Sequence, residues 1–201
     1  LGIDTEQKKV RIGKHGWITC RGSFDKVPHE KVKSITVSKD ANDWYASVLF
    51  EIDDPKRVKH NKPGSVVAID LGIKKPICAF NGDGFSTLKS KDFSKALLLK
   101  EQKRKRYQRR MERKAKGSKN RMKARIKLQR AYRAEKNFRR NFIEQTSHKL
   151  CSKFETVIFE DLKIKNMTKR KPGMKNMNRN MLRLSHSTLV LRTQQKAYRY
   201  G

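Results

Sequence analysis

From about residue 94 to residue 153 the sequence loses its β-strand character and takes on a helical period. Tyr107, Met111 and Ala115 fall four apart, as do Leu128 and Tyr132, and Phe138 and Phe142. That spacing puts side chains on one face of a helix. The stretch "KGSKN" at 116–120 breaks the pattern, which predicts two long helices joined as a hairpin. An insert of this length constrains everything around it. Strands on either side of it cannot be joined by a tight turn, and a crossover of this kind permits a parallel pair.

The flanking segments supply the strands. In "VVAIDLGIKKP", residues 66–76, a continuous apolar run is interrupted by Asp70. A carboxylate inside a buried strand loses its hydration, which is costly unless it is paired or binds a metal. "PICAFNGDGFSTLKS" follows as a strand, a hairpin-type "NGDG" turn and a strand. "ETVIFEDL", residues 155–162, reads as a short buried strand ending in acids. Three antiparallel strands followed by a helical crossover to a strand parallel to the first predict an α/β, RNase H-like unit over 65–201, with a right-handed crossover. Within it, "IKNMTKRKPGMKNMNRN" predicts a basic loop, and 179–200 a helix with Leu182, Leu189 and Tyr200 among its apolar positions.

Residues 1–54 are β-rich. "KKVRI", "GWITCRG", and the pair "VKSITVS" and "WYASVLFEI" separated by "KDAND" carry alternation, β-branched residues and turn signals. "DDPKRVKHNKPG" then has two prolines, a terminal glycine and no apolar period, marking a boundary with 55–64 as a linker.

Charge decides the class of partner. The chain carries 51 Lys and Arg against 19 Asp and Glu, a net +32. Self-repulsion at that level disfavours a compact state, so a large polyanion is the expected partner. There is no apolar run long enough for a membrane span and no signal-peptide pattern. Between Lys95 and Arg140 there are 21 Lys and Arg against three Glu, a net +18, so the excess sits on the helical hairpin. The candidate phosphate contacts are Lys103, Arg104, Lys105, Arg106, Arg109, Arg110, Arg113, Lys114, Lys119, Arg121, Lys123 and Arg125. Arg suits bidentate phosphate contacts, and neutralising several phosphates releases counterions and makes binding strong and salt-sensitive. Tyr107 and Tyr132 could stack on bases, but their helical spacing favours packing within the hairpin.

In the predicted layout Asp70 and Glu160 face each other from adjacent parallel strands. Two carboxylates so placed repel unless a cation lies between them. Mg²⁺ suits such a place, since it takes hard oxygen ligands and keeps waters or substrate phosphate in its other positions. Two such ions, roughly 4 Å apart, activate water and stabilise the leaving oxygen of a phosphodiester. Spacing alone leaves open that either acid is a hydrogen-bonded structural residue. Asp161, next to Glu160, would point to the opposite face of its strand. Gly72 reads as a close-packing glycine, not a phosphate loop. His148 lies one helical turn from Cys151 with no further ligand in sight, and the five histidines default to core or surface roles. Cys20, Cys78 and Cys151 form neither a disulfide framework nor a zinc half-site, which fits reduced thiols in a cytoplasmic protein.

"VVAIDLGIKKPICAF", then "KRYQRRMERKAKGSKNRMKARIKLQRAYRAEKNFRRNFIEQTSHKL", then "TVIFEDLKIKNM" resemble, in order and spacing, the TnpB (OrfB) proteins of insertion sequences, which are related to type V CRISPR effectors. The resemblance extends from the β-rich segment, similar to the end of that family's wedge domain, to "LRTQQKAYRYG", similar to the helix before its zinc ribbon. It implies an RNA-guided, Mg²⁺-dependent DNA endonuclease with a RuvC-type nuclease domain, working with a guide RNA and a target DNA. On that resemblance Asp70 matches the first RuvC acid and Glu160 the second. The family's recognition domain, zinc ribbon and third catalytic Asp have no counterpart here. The sequence is therefore expected to be an internal piece of a longer protein, inactive as a nuclease by itself, with zinc confined to the missing ribbon. The alternative is a decayed or repurposed relative that binds RNA or DNA without catalysis.

Overall fold

The structure is a computed structural model that describes residues 2–22, 24, 31–51, 64–73, 75–87, 90–162 and 175–200. The chain divides into two compact units, Leu1–Pro55 and Lys56–Gly201. Apart from Gly64, the linker read over 55–64 lies outside the described residues.

In the first unit β1 (Gly2–Asp4), β2 (Lys9–Arg11) and β3 (Trp17–Thr19) form an antiparallel sheet in sequence order. β4 (Val32–Asp40) and β5 (Asp43–Phe50) form a hairpin. Only Ala41 and Asn42 separate the hairpin strands, and Ala41 takes a φ of 56° to close the turn, as the favoured two-residue hairpin turns require. Ile3, Val10 and Phe24 are buried at the centre, with Val32, Ile35 and Val48 packed against them. β1 was not foreseen, because three residues carry too little alternation to register.

The second unit is mixed α/β. Its four-stranded sheet has the order β8 (Phe85–Thr87), β7 (Cys78–Phe80), β6 (Val66–Asp70), β9 (Thr156–Phe159). β6–β7 and β7–β8 are antiparallel, whereas β6–β9 is parallel. Between β8 and β9 run α1 (Ser90–Glu112) and α2 (Lys119–Lys153), the predicted hairpin. Its turn is closed by Gly117 at a φ of 81° and by Ser118, whose hydroxyl accepts from the Arg121 amide at 3.1 Å. A glycine in the left-handed region followed by a serine N-cap explains why "KGSKN" stops one helix and starts the next.

Burial corrects one expectation. β6 is not buried on both faces: Val67 and Ile69 are 1% and 3% exposed, but Val66, Ala68 and Asp70 are exposed. β9 likewise alternates, with Thr156 and Ile158 outward. One face of the sheet carries the core, where Val67, Ile69, Leu71, Ile77 and Ala79 meet Ile143 and Leu150 of α2 and Leu189. Among the described residues nothing covers the other face to the same degree, so the apolar run in "VVAI" was a half-covered strand.

The C-terminal helix is two helices, α3 (Lys175–Leu184) and α4 (His186–Tyr200). The break is at Ser185, which takes a φ of 54°, and the predicted basic loop is helical over its last six residues, 175–180. The remainder of that loop in 163–174 lies outside the described residues. α3 is held to α1 by a bidentate pair, Arg183 to Glu101 at 2.6 and 2.7 Å. Beside it Leu184 packs with Phe93 and Leu97, and Phe93 stacks on Phe142 at 3.9 Å. α4 is held to α2 by Lys196 on Glu144 at 2.8 Å. That hydrogen bond draws the Glu144 carboxyl below its usual range, against the opposing effect of burial.

Glu101 and Arg183 are both largely buried, with side chains 11% and 18% exposed. Removing one partner strands the other charge, so Arg183→Leu is expected to destabilise the chain by about 3 kcal/mol. Glu101→Leu combined with Arg183→Leu removes both charges and should destabilise less. Chemical denaturation of the two variants checks this, and a larger loss in the double variant would contradict the argument.

Candidate active site and basic surface

Asp70 is the last residue of β6 and Glu160 directly follows β9. In the parallel register Val66 pairs with Thr156, Ala68 with Ile158 and Ile69 with Phe159. Side chains alternate along a strand, so Asp70 falls on the face of Val66 and Ala68, and Glu160 on that of Thr156 and Ile158. Both carboxylates are exposed, at neighbouring strand ends and on the same open face. The register is anchored at the other end, where the Ser65 carbonyl accepts from the Glu155 and Thr156 amides at 3.0 and 3.1 Å. The Gly64 amide donates to the Glu155 carboxylate.

Just beyond Asp70 the chain turns sharply. A Cβ on Gly72 would stand 2.9 Å from the Lys75 carbonyl oxygen, closer than side chains tolerate, so glycine is required there by packing. Ile77 and Pro76 are then buried and β7 returns beside β6. No cluster of three or more His, Cys, Asp or Glu suited to a metal occurs among the described residues. The donor set is two hard carboxylates, which fits Mg²⁺, an ion bound through one or two carboxylates with waters completing its shell.

An open groove of about 980 Å³ lies along the outer side of β9 and reaches Glu160, Asp161, Leu71 and α4. His186, the first residue of α4, lines it while only 2% exposed. Neither ring nitrogen has a hydrogen-bond partner among the described residues. Burial pushes the imidazole below its usual range, and the negative charge of Asp70 opposes that shift. Sequence reasoning missed this residue, since burial of a single polar side chain leaves no motif. His148 and Cys151 belong to no metal-suited group among the described residues, and His148 Nδ1 meets the Tyr200 hydroxyl at 3.0 Å. Cys151 donates to the Thr193 carbonyl at 3.5 Å, and burial pushes its thiol up.

The hairpin sorts its cations into two sets. Lys103, Lys105, Arg106, Arg109, Arg110, Arg113, Lys114, Lys119, Lys123 and Arg125 are exposed. Arg104 and Arg121 are turned into the protein. Arg104 donates to the buried Glu135 at 2.7 Å and lies 4.9 Å from the ring centroid of Tyr132, which stays half-exposed instead of packing inside the hairpin. Arg121 donates to the Met111 and Lys114 carbonyls at 3.2 and 2.8 Å, closing the end of α1. No helix among the described residues is long and apolar enough to cross a membrane.

Fold and site thus define a mixed α/β protein with two surface carboxylates at the ends of parallel strands and a strongly basic helical hairpin. Residues 47–171 match the sequence model of the OrfB_IS605 family, described as a probable transposase, and the chain belongs to that family. It is 30% identical over 171 residues to the putative RNA-guided DNA endonuclease InsQ of Escherichia coli (strain K12), covering 85% of this chain and 40% of that protein. A putative RNA-guided DNA endonuclease of Streptomyces pristinaespiralis is 33% identical over 137 residues, covering 68% of this chain and 32% of that one. The chain therefore spans well under half the length of these relatives.

The two sets of cations should separate in stability. Arg104→Gln breaks a charge-assisted bond to the buried Glu135 and is expected to lose about 2 kcal/mol. Arg109→Gln, on the exposed face, should change stability by less than about 0.5 kcal/mol. Thermal or denaturant unfolding checks both, and equal effects would contradict the division.

Proposed function

We propose that this chain is the nuclease core of a transposon-encoded, RNA-guided DNA endonuclease, with an RNase H-like sheet and a RuvC-type site. The observation that supports the reading is the parallel β6–β9 register, which pairs Ile69 with Phe159 and so brings the strand ends next to Asp70 and Glu160 alongside each other. The family membership and the names of the relatives support it. Guide RNA and target DNA are the proposed partners, and the three free thiols fit a cytoplasmic setting.

Asp70 and Glu160 would hold Mg²⁺, which when bound there activates water and stabilises the leaving oxygen of a phosphodiester. The carboxylates have no lysine or arginine ion pair to compete with that role among the described residues. The exposed cations of α1 and α2 hold the sugar-phosphate backbone, drawing affinity from counterion release and not from base contacts.

A second reading, a binder without catalysis, is favoured by one observation. No group of three or more His, Cys, Asp or Glu suited to a metal occurs among the described residues, and two-metal hydrolysis needs enough ligands to hold both ions against the charge of the scissile phosphate. The 201 residues by themselves are accordingly proposed to bind nucleic acid without cutting it.

The two readings separate when cleavage and binding are assayed on the same preparations. In a protein of the relatives' length that carries this chain, Asp70→Ala or Glu160→Ala should abolish Mg²⁺-dependent cutting of guide-matched DNA. Binding should persist, because removing a carboxylate does not weaken attraction to phosphate. Exchanging Arg109, Arg110, Arg113 and Lys114 for Gln should instead weaken binding and reduce the slope of log affinity on log salt by roughly 3. Cutting at the normal rate by Asp70→Ala would refute the site, and an unchanged salt slope would place the phosphate contacts elsewhere.

A further inference from the structure

The open face of the four-stranded sheet carries an apolar row beside Asp70 that the carboxylate pair leaves unexplained. Ala68 pairs with Ile158 on one side and with Phe80 on the other, and Phe80 pairs with Phe85. Side chains of paired residues project from the same face, so Ile158, Ala68, Phe80 and Phe85 form one row across all four strands. Asp70 shares that face, two residues beyond Ala68 and roughly 7 Å further along β6.

Two members of the row are rings left in water. Phe85 is 80% exposed, and the half-exposed Phe80 meets it with ring centroids 4.8 Å apart and planes tilted by 37°. Each aromatic side chain commits a large apolar area, and contiguous apolar exposure marks an interaction surface. The core of this unit occupies the opposite face of the sheet, with Val67, Ile69 and Ala79, and includes neither ring among the described residues. Charge decides what can lie on them. Residues 56–201 hold 42 Lys and Arg against 10 Asp and Glu, so the whole net +32 belongs to the unit that carries this face. A polyanion is drawn to such a unit, and nucleic acid is a polyanion with flat bases that stack on aromatic rings. The basic hairpin itself starts close after the rings in the chain, since β8 ends at Thr87 and α1 begins at Ser90.

We propose that Phe80 and Phe85 form a stacking platform for unpaired bases of the nucleic acid that the basic hairpin holds, and so position the strand at Asp70. The role given to Asp70 rests on the nuclease-site reading above. Bases paired in a duplex hide their faces within the helical stack, so the platform selects a strand that is locally open. Every base has such a face, and the contact therefore adds affinity without reading sequence. The phosphates stay with the exposed cations of α1 and α2, where binding is salt-sensitive. Stacking on the rings releases no counterions, so its contribution does not depend on salt in that way.

The test is fluorescence anisotropy on the 201-residue chain in EDTA, with oligothymidylate as one probe and a fully abasic strand of equal length as the other. Phe85→Leu keeps an apolar side chain but removes the ring, and is expected to weaken oligothymidylate binding about tenfold. Affinity for the abasic strand and the slope of log affinity on log salt should both stay at their wild-type values, because every phosphate contact remains. Phe85→Tyr, which keeps a ring, should bind oligothymidylate like the wild type. Phe80→Leu should act in the same direction as Phe85→Leu. An unchanged oligothymidylate affinity in Phe85→Leu overturns the proposal and leaves the face to a protein partner. Equal losses for the two strands overturn it too, since the ring would then act through phosphate or through the fold. A clearly lowered melting temperature in Phe85→Leu would show a structural ring, with the same consequence. None of these readouts needs an ion or a cut, so failure here leaves the carboxylate assignment standing. Failure of that assignment shows separately, as cutting by Asp70→Ala in the longer protein, and overturns the positioning at Asp70.

Discussion

Strands far apart in sequence lie side by side in the second unit because the α1–α2 hairpin carries the chain away from β8 and brings it back at β9. The hairpin holds its shape through contacts few in kind: Phe93 stacked on Phe142, Leu97 wholly buried and Arg104 on Glu135. The parallel pairing that results determines what the sheet presents. With Ala68 opposite Ile158 and Ile69 opposite Phe159, the core residues point to α2 and α4, and the acids at the strand ends point the other way. A slip of one residue in this pairing would send every side chain of β9 to the other face, burying Glu160 and exposing Phe159. The same hydrophobic preference that stabilises the core therefore sets the carboxylates.

The hairpin has a second consequence. Its length allows one structural element to carry most of the positive charge while remaining well packed, because α1 and α2 bury a narrow apolar stripe and leave the rest to solvent. Leu128, Ala131 and Ala124 are buried on α2, with exposed cations between them. Repulsion among these cations opposes the hairpin. The acids near them are few, and the two most buried, Glu101 and Glu135, are each committed to an arginine. A polyanion on the outer face would relieve that repulsion, so binding and stability should be coupled in this unit.

Much of this was legible in the sequence, and the parts that were not have physical causes. Helical spacing and the "KGSKN" break gave the hairpin, since both are local. The "NGDG" turn gave β7 and β8 for the same reason. The exposure of β6 was misread because "VVAI" is apolar on both faces, and composition cannot tell a covered face from an open one. The break at Ser185 was missed because serine in the left-handed region carries no signature, and the period of apolar residues runs across it. Asp70 and Glu160 could be picked out from their places in the pattern, but that β6 and β9 end side by side needed the register. His186 was invisible: its interest lies in burial without a partner, a property that arises only when α4 packs against the sheet.

The central claim is that Asp70 and Glu160 share one divalent ion on the open face of the sheet. Crystals soaked in Mn²⁺ and measured for anomalous scattering test it without reference to cleavage. The account predicts a peak between the two carboxylates, at the ends of β6 and β9. Peaks confined to other acids such as Asp4 or Glu6, with the Asp70 and Glu160 side chains turned apart, would contradict it.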